Sequence, residues 1–231
     1  MTAQAMVLAA GRGERMRPLT DTCPKPLLQV KGKRLMGWHL DAFAQGGFAE
    51  VVVNTAWLAT QIEEHYGHET GSGVRIAYSH EGKDFGGALE TAGGIARALP
   101  LLDEVFWIVA GDVYMPQFEF TRAAYERFAA SGKLAHLYLV PNPPHNLKGD
   151  FGLSPEGLAL NTADVRYTYS TVGLYRKTLF AGLPAGNPQG VKKALAPLLR
   201  DAIARGEISA EVYAGPWTDV GTPERLAALN A

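Results

Sequence analysis

Val7-Leu8-Ala9-Ala10-Gly11-Arg12-Gly13-Glu14-Arg15-Met16-Arg17-Pro18-Leu19-Thr20-Asp21-Thr22-Cys23-Pro24-Lys25-Pro26 is the stretch on which the fold turns. The apolar run Ala5-Met6-Val7-Leu8-Ala9 predicts a short buried strand that ends where the glycines begin. Gly11 and Gly13 free the backbone to curl, so that successive N–H groups can face an anion. Arg12, Arg15, Arg17 and Lys25 bring four cations into the same loop, and Pro18, Pro24 and Pro26 stiffen it by fixing φ. Such a loop, directly after a first strand, suits a polyphosphate. Two familiar phosphate motifs are excluded. A P-loop needs Gly-Lys-Ser/Thr at its end, and a dinucleotide fingerprint needs a third glycine where Met16 stands. Gly11-x-Gly13 by itself also fits a plain tight turn.

The charge distribution narrows the ligand. Over 231 residues the net charge is −1, which argues against general nucleic-acid binding. Residues 11–34 nevertheless carry seven basic side chains against two acidic ones, a local +5, leaving −6 over the rest of the chain. A local positive field on a slightly acidic protein fits a small polyanion better than a long one. The single cysteine, Cys23, excludes an intrachain disulfide and a thiolate metal cluster. No apolar run approaches the roughly 20 residues of a membrane span, and no signal segment opens the chain. The expectation is a cytoplasmic protein without a membrane partner.

Outward from the loop, strand and helix patterns alternate about every dozen residues, the mark of parallel βαβ units. Apolar spacing predicts helices over residues 35–44, 57–66, 118–130 and 192–205, and strands over 50–54, 74–78, 105–110, 135–140, 167–175 and 208–213. Residues 80–87 read as a flexible glycine-rich loop, and 151–160 as a hairpin around Ser154-Pro155-Glu156-Gly157. The predicted fold class is α/β, a Rossmann-like mixed, mainly parallel sheet flanked by helices, in a single domain over 1–231. In such sheets ligands sit beyond the carboxyl ends of the strands, where the glycine loop lies. Asp112 directly follows the most hydrophobic strand, where a carboxylate is costly without a partner. It is either a turn cap or a metal ligand. Near the end of the chain Thr222, Pro223 and Glu224 suit the start of a last helix, for which Asp219 is not required.

Leu8 to Thr20 and Pro24 to Leu27 match, without a gap, the signature Leu-Ala-Ala-Gly-x-Gly-x-Arg-Met-x-Pro-Leu-Thr…Pro-Lys-Pro-Leu, and the chain thereby resembles the sugar-1-phosphate nucleotidyltransferases. The resemblance implies that Leu8, Ala10, Gly11, Arg12, Gly13 and Lys25 bind a nucleoside triphosphate, with Arg15 and Lys25 as the catalytic phosphate grips. Leu89-Glu90-Thr91-Ala92-Gly93-Gly94 is similar to the family's base-recognition segment, which places Glu90 and Thr91 at the base or ribose; both also fit the first turn of a helix. Residues 83–87 read as an insertion before it. Gly111-Asp112 and Trp217-Thr218-Asp219-Val220-Gly221-Thr222 resemble the two motifs from which the family holds its metal, implying Asp112 and Asp219 as ligands of Mg²⁺.

Asn142-Pro143-Pro144-His145-Asn146-Leu147-Lys148-Gly149-Asp150-Phe151 resembles a segment of one branch of that family, the enzymes that act on N-acetylmuramate α-1-phosphate. It implies a sugar-facing loop with Asn142, Gly149 and Asp150, joined by Ser170, as sugar-binding residues; a rigid surface turn is the other reading. At Thr171 the family often has glycine. The nucleotide part would span about 1–134, the sugar part 135–215, and the closing metal motif and helix 216–231. The implied reaction is NTP, here UTP, plus sugar 1-phosphate giving a nucleotide sugar and pyrophosphate, in peptidoglycan recycling, by a monomer or homodimer. Mannose-1-phosphate guanylyl transfer, glucose-1-phosphate thymidylyl transfer, and a silent regulatory subunit that binds nucleotide sugars stand as alternatives.

Overall fold

The computed structural model describes residues 2–231. Seven strands form its main sheet: β1 (Ala3–Leu8), β2 (Glu50–Thr55), β3 (Arg75–His80), β4 (Leu102–Ala110), β5 (Ala135–Val140), β6 (Thr168–Arg176) and β7 (Ile208–Val212). Across the sheet they run β7-β5-β6-β4-β1-β2-β3. Every adjacent pair is parallel except the two that involve β6. This is the Rossmann-like mixed sheet expected from the alternation. Its helices of five residues or more are α1 (Leu35–Gln45), α2 (Ala59–Tyr66), α3 (Glu81–Phe85), α4 (Glu90–Ala98), α5 (Arg122–Ala130), α6 (Leu195–Ala204) and α7 (Pro223–Asn230). Among the described residues no helix is long and apolar enough to cross a membrane.

The central strand β4 is apolar on both faces because both are covered. Val105, Trp107 and Val109 enter one core with Met36, Leu40 and Phe43 of α1 and Phe128 of α5. Phe106 and Ile108 enter the other, with Ile95 of α4 and Leu199 of α6. A strand buried twice loses the polar alternation of a surface strand, which is why its sequence is a continuous apolar run. β2 and β3 lie on one side of β1 and β4 on the other, so the order reverses at β1 and opens a crevice beyond the strand ends. Three strands end there in step, Leu8 lying opposite both Asn54 and Ala110.

Helix boundaries depart from the apolar spacing where tertiary contacts intervene. Residues 118–121 are not helical: Phe118 and Phe120 are buried against Trp107, and Thr121 accepts the Ala124 amide at 3.2 Å to start α5 later. The helix expected from residue 57 begins at Ala59, after Leu58 in the left-handed region (φ 48°). That expected from residue 192 begins at Leu195, because the Lys193 carbonyl instead accepts the amides of Ala92 and Gly93. Residues 80–87 are not all loop, since α3 forms inside them. Its first residue, Glu81, is fully buried and accepts from Asn54 Nδ2 at 2.6 Å and Leu89 N at 2.7 Å.

His39 of α1 is buried, with Nε2 2.9 Å from the Val113 carbonyl. Burial pushes its imidazole from 6.5 down to about 4. The unfolded chain therefore takes up a proton between those values that the folded chain refuses, and stability falls as pH drops through that window. We expect His39→Gln to flatten the pH slope of the urea-unfolding free energy between pH 6.5 and 4.5, the full penalty being at most about 3 kcal/mol. An unchanged slope would assign the acid loss to other groups.

Candidate active site

Beyond the ends of β1, β2 and β4 lies a cavity of about 780 Å³, within the range that holds a small ligand or cofactor. Its floor is built by strand termini. Gly111 donates its amide to the Leu8 carbonyl at 2.8 Å, and Ala9 donates to Asn54 Oδ1 at 2.7 Å, so the chain leaving β1 is held against both neighbours. Leu8, Ala10, Gly11, Gly13, Lys25, Glu90, Thr91 and Asp112 all line this cavity. Gly13 is in the left-handed region (φ 68°), where a Cβ would stand 3.0 Å from Thr20 Cγ2. Gly11 does not have a positive φ. A Cβ there would meet nothing within 4 Å, so its missing side chain leaves room on the cavity side.

Lys25 is only 8% exposed, although it is a lysine, and its Nζ lies 2.5 Å from Asp112 Oδ2. Pro24 and the turn Lys25–Leu27 fix the backbone that carries it. Asp112 stands next to Asp219 through a short antiparallel pair, Val113–Tyr114 with Thr218–Asp219, in which Val220 N donates to the Asp112 carbonyl at 2.9 Å. Residues far apart in the chain are thus neighbours. Asp219 Oδ2 accepts from Arg225 Nη1 at 2.5 Å. Its Oδ1 is buried and lacks an aligned hydrogen bond, with His145 Nε2 at 2.9 Å in ion-pair contact only. A buried carboxylate oxygen without a donor, beside a second carboxylate that reaches a cavity, fits a hard cation that takes its remaining ligands from phosphates.

Comparisons with known proteins bear on the family. The nucleotidyl transferase family model matches residues 4–154. The chain is 49% identical over 236 residues, 99% of its length and 97% of the relative's, to an N-acetylmuramate alpha-1-phosphate uridylyltransferase of Neisseria meningitidis.

The chain belongs to the nucleotidyl transferase family.

A second relative, the N-acetylmuramate alpha-1-phosphate uridylyltransferase of Caulobacter vibrioides, is 32% identical over 98% of this chain and 95% of its own. Among solved structures, a Bacillus anthracis protein assigned as a glucose-1-phosphate thymidylyltransferase superposes with a TM-score of 0.80. It covers 98% of this chain and 93% of its own at 18% identity, which speaks for the fold.

Not every residue singled out in this nucleotidyl transferase reaches the cavity. Arg12 does not: it donates to the Thr20 carbonyl at 2.8 Å, bonds Asp21 Oδ1 at 2.7 Å, and lies 3.7 Å over the Trp57 ring. Arg17 also bonds Asp21, and Lys33 pairs with Asp41, so much of the local positive charge is neutralised at once. Arg15 is exposed and forms no ion pair with a described residue. It stands outside the cavity on the Asp219 side, where a Cβ on Gly221 would lie 3.4 Å from Arg15 Nη2 and 2.9 Å from Asp219 Oδ2. Asp219 also lies beside the cavity rather than on its wall, one strand away from Asp112.

Of the residues expected to bind sugar, Asp150 lines the cavity, anchored by the Tyr169 amide at 2.8 Å. Asn142, Gly149 and Ser170 do not. The Asn142 side chain braces its own loop, donating to the carbonyls of Leu147 and Arg166 and accepting from Thr168 Oγ1 at 2.9 Å. Gly149 (φ 62°) passes so close to Arg166 that a Cβ would stand 2.8 Å from its carbonyl carbon. Ser170 is fully buried, donating to the Tyr138 carbonyl at 2.6 Å and accepting from Val172 N at 3.1 Å. It shapes the break in register between Tyr169 and Gly173 that turns Thr171 into the cavity with φ 64°. Thr171 and Glu90 (φ 60°) are thus non-glycine residues in left-handed backbone on the cavity wall, a conformation kept only where the surroundings impose it. Sequence reasoning missed Asn54, Glu81, Phe151, Tyr169 and Arg200 of the lining. Asn54 did carry a signal, a polar residue at the end of an otherwise Val-rich strand.

Proposed function

We propose that the chain transfers a uridylyl group from UTP to N-acetylmuramate α-1-phosphate and releases pyrophosphate, in cytoplasmic peptidoglycan recycling. The observation that carries this reading is that one cavity is lined both by the glycine loop, Lys25 and Asp112 and by Asp150 and Tyr169. It is supported by the names of the two full-length relatives. A sugar-phosphate oxygen attacks the α-phosphorus in line. The bond from that phosphorus to the bridging oxygen breaks, and pyrophosphate leaves with the electron pair. No protein nucleophile is needed, so the residues orient and neutralise. Residues 1–134 hold the nucleotide: the Gly11 and Gly13 loop faces its phosphates, Lys25 reaches the α-phosphate, and Glu90 and Thr91 face base or ribose. Arg15, which forms no ion pair among the described residues, meets the outer phosphates. Residues 135–215 hold the sugar, whose hydroxyls donate to Asp150. Mg²⁺ held by Asp112 and Asp219 would supply charge neutralisation for the triphosphate. A silent regulatory subunit is disfavoured because Arg15, Lys25, Asp112 and Asp219 are all retained.

Pyrophosphate release, followed with each NTP against a panel of sugar 1-phosphates, tests the reading. We expect UTP with N-acetylmuramate α-1-phosphate to exceed UTP with N-acetylglucosamine α-1-phosphate at least tenfold in kcat/KM, about 1.4 kcal/mol. Glucose or mannose 1-phosphate turned over at least as well would overturn the sugar assignment and leave nucleotidyl transfer standing.

A further inference from the structure

N-acetylmuramate differs from N-acetylglucosamine by a lactyl ether that ends in a carboxylate, so a site that prefers it needs a cation or donor directed at that group. The loop of residues 142–151 is the first place to look, and its donors are already engaged. Asn142 braces Leu147 and Arg166, Asn146 Nδ2 bonds Asp150 and Thr168, and His145 lies against Asp219. Lys148 does not line the cavity. Among the described residues the cations that line it are Lys25 and Arg200, and Lys25 is held by Asp112. Arg200 forms no ion pair and no side-chain hydrogen bond with a described residue; its guanidinium lies 5.2 Å from the Phe151 ring centroid. Asp150, also on the cavity wall, forms no ion pair with it and is bonded by Tyr169 N and Asn146 Nδ2 instead.

We propose that Arg200 binds the lactyl carboxylate of the sugar substrate and sets the preference for N-acetylmuramate over N-acetylglucosamine. The proposal rests on the sugar assignment made above. Ala196, Leu199 and Arg200 line the cavity at the i, i+3 and i+4 positions of α6, so the guanidinium is mounted on a packed helix and not on a loop. A planar guanidinium grips a carboxylate through two parallel N–H donors, and the Phe151 ring lies within cation–π range of this one. The neighbouring wall of Leu195, Leu199 and Phe151 is apolar and suits the lactyl methyl. An unpaired cation beside an apolar wall is what a carboxylate carrying a methyl group requires.

The test compares wild type, Arg200→Gln and Arg200→Lys on N-acetylmuramate α-1-phosphate, its lactyl amide and N-acetylglucosamine α-1-phosphate, all with UTP. We expect Arg200→Gln to shrink the acid-over-amide and the N-acetylmuramate-over-N-acetylglucosamine kcat/KM ratios at least tenfold, mainly through KM for the acid. Arg200→Lys should restore part of both ratios. Ratios that stay unchanged in Arg200→Gln, or a wild type indifferent to amidation, would overturn the role of Arg200 while leaving the sugar assignment intact. A wild type that prefers glucose or mannose 1-phosphate would overturn both. An equal loss on all three substrates would reduce Arg200 to a structural residue and likewise sink the proposal.

Discussion

Lys25→Ala lowers kcat/KM at least a hundredfold, about 2.7 kcal/mol of transition-state stabilisation, while the protein stays folded. A buried ammonium loses hydration and is retained only where a partner offsets that loss. Here the partner is Asp112, 2.5 Å away, whose own carboxylate remains 38% exposed. Removing the lysine therefore leaves a carboxylate that water can still reach, and the structural cost is modest. The catalytic cost is larger. A charge held by Pro24 and a tight turn needs no reorganisation when negative charge develops on the transferred phosphoryl group, and such preorganised charge is among the largest contributions an active site makes. Arginine cannot substitute as a compact point charge in so closed a place, so Lys25→Arg should recover little. Steady-state kinetics alongside thermal melting check this. A loss of tenfold or less with an unchanged melt would make Lys25 a partner of Asp112 and nothing more.

What could be read from the chain follows from where each property resides. β4 and the turn after it were legible because burial on both faces forces a continuous apolar run, and the polar residue that ends the run must have a use. Gly13 was legible because a left-handed turn leaves few alternatives to glycine. Thr171 was not, since its left-handed backbone is imposed by Ser170 and a break in register against β5. Arg12 and Lys25 look alike in sequence, two cations in one loop. They part only in the fold, where Asp21 and Trp57 claim Arg12 and Asp112 holds Lys25 at the cavity. Asn142 and Ser170 stand off the cavity wall for the same reason: short polar side chains satisfy neighbouring backbone as readily as a ligand. Arg200 went unseen because a base following two leucines on a helix reads as the solvent edge of an amphipathic face; it is exposed in the fold and lines the cavity as well.

Asp112→Asn and Asp219→Asn should each lower kcat/KM by about a thousandfold or more, roughly 4 kcal/mol, and the double variant should be little worse than either single one. Val220 N bonds the Asp112 carbonyl and Asp219 pairs with Val113, so the two carboxylates issue from adjacent rungs of one two-stranded ladder. Each is already partly neutralised, Asp112 by Lys25 and Asp219 by Arg225. Neither cation reaches Asp219 Oδ1, which is left buried and unbonded except for the His145 contact. Groups that act as one unit are non-additive, because losing the first removes what the second was holding. Asparagine keeps the shape and the hydrogen-bonding reach of the side chain and removes the charge, so each single variant should also raise the Mg²⁺ concentration needed for half-maximal activity. Strictly additive losses in the double variant, or full activity of the wild type in EDTA, would sink the shared metal and leave Asp112 as a partner for Lys25 and Asp219 as a brace for Arg225.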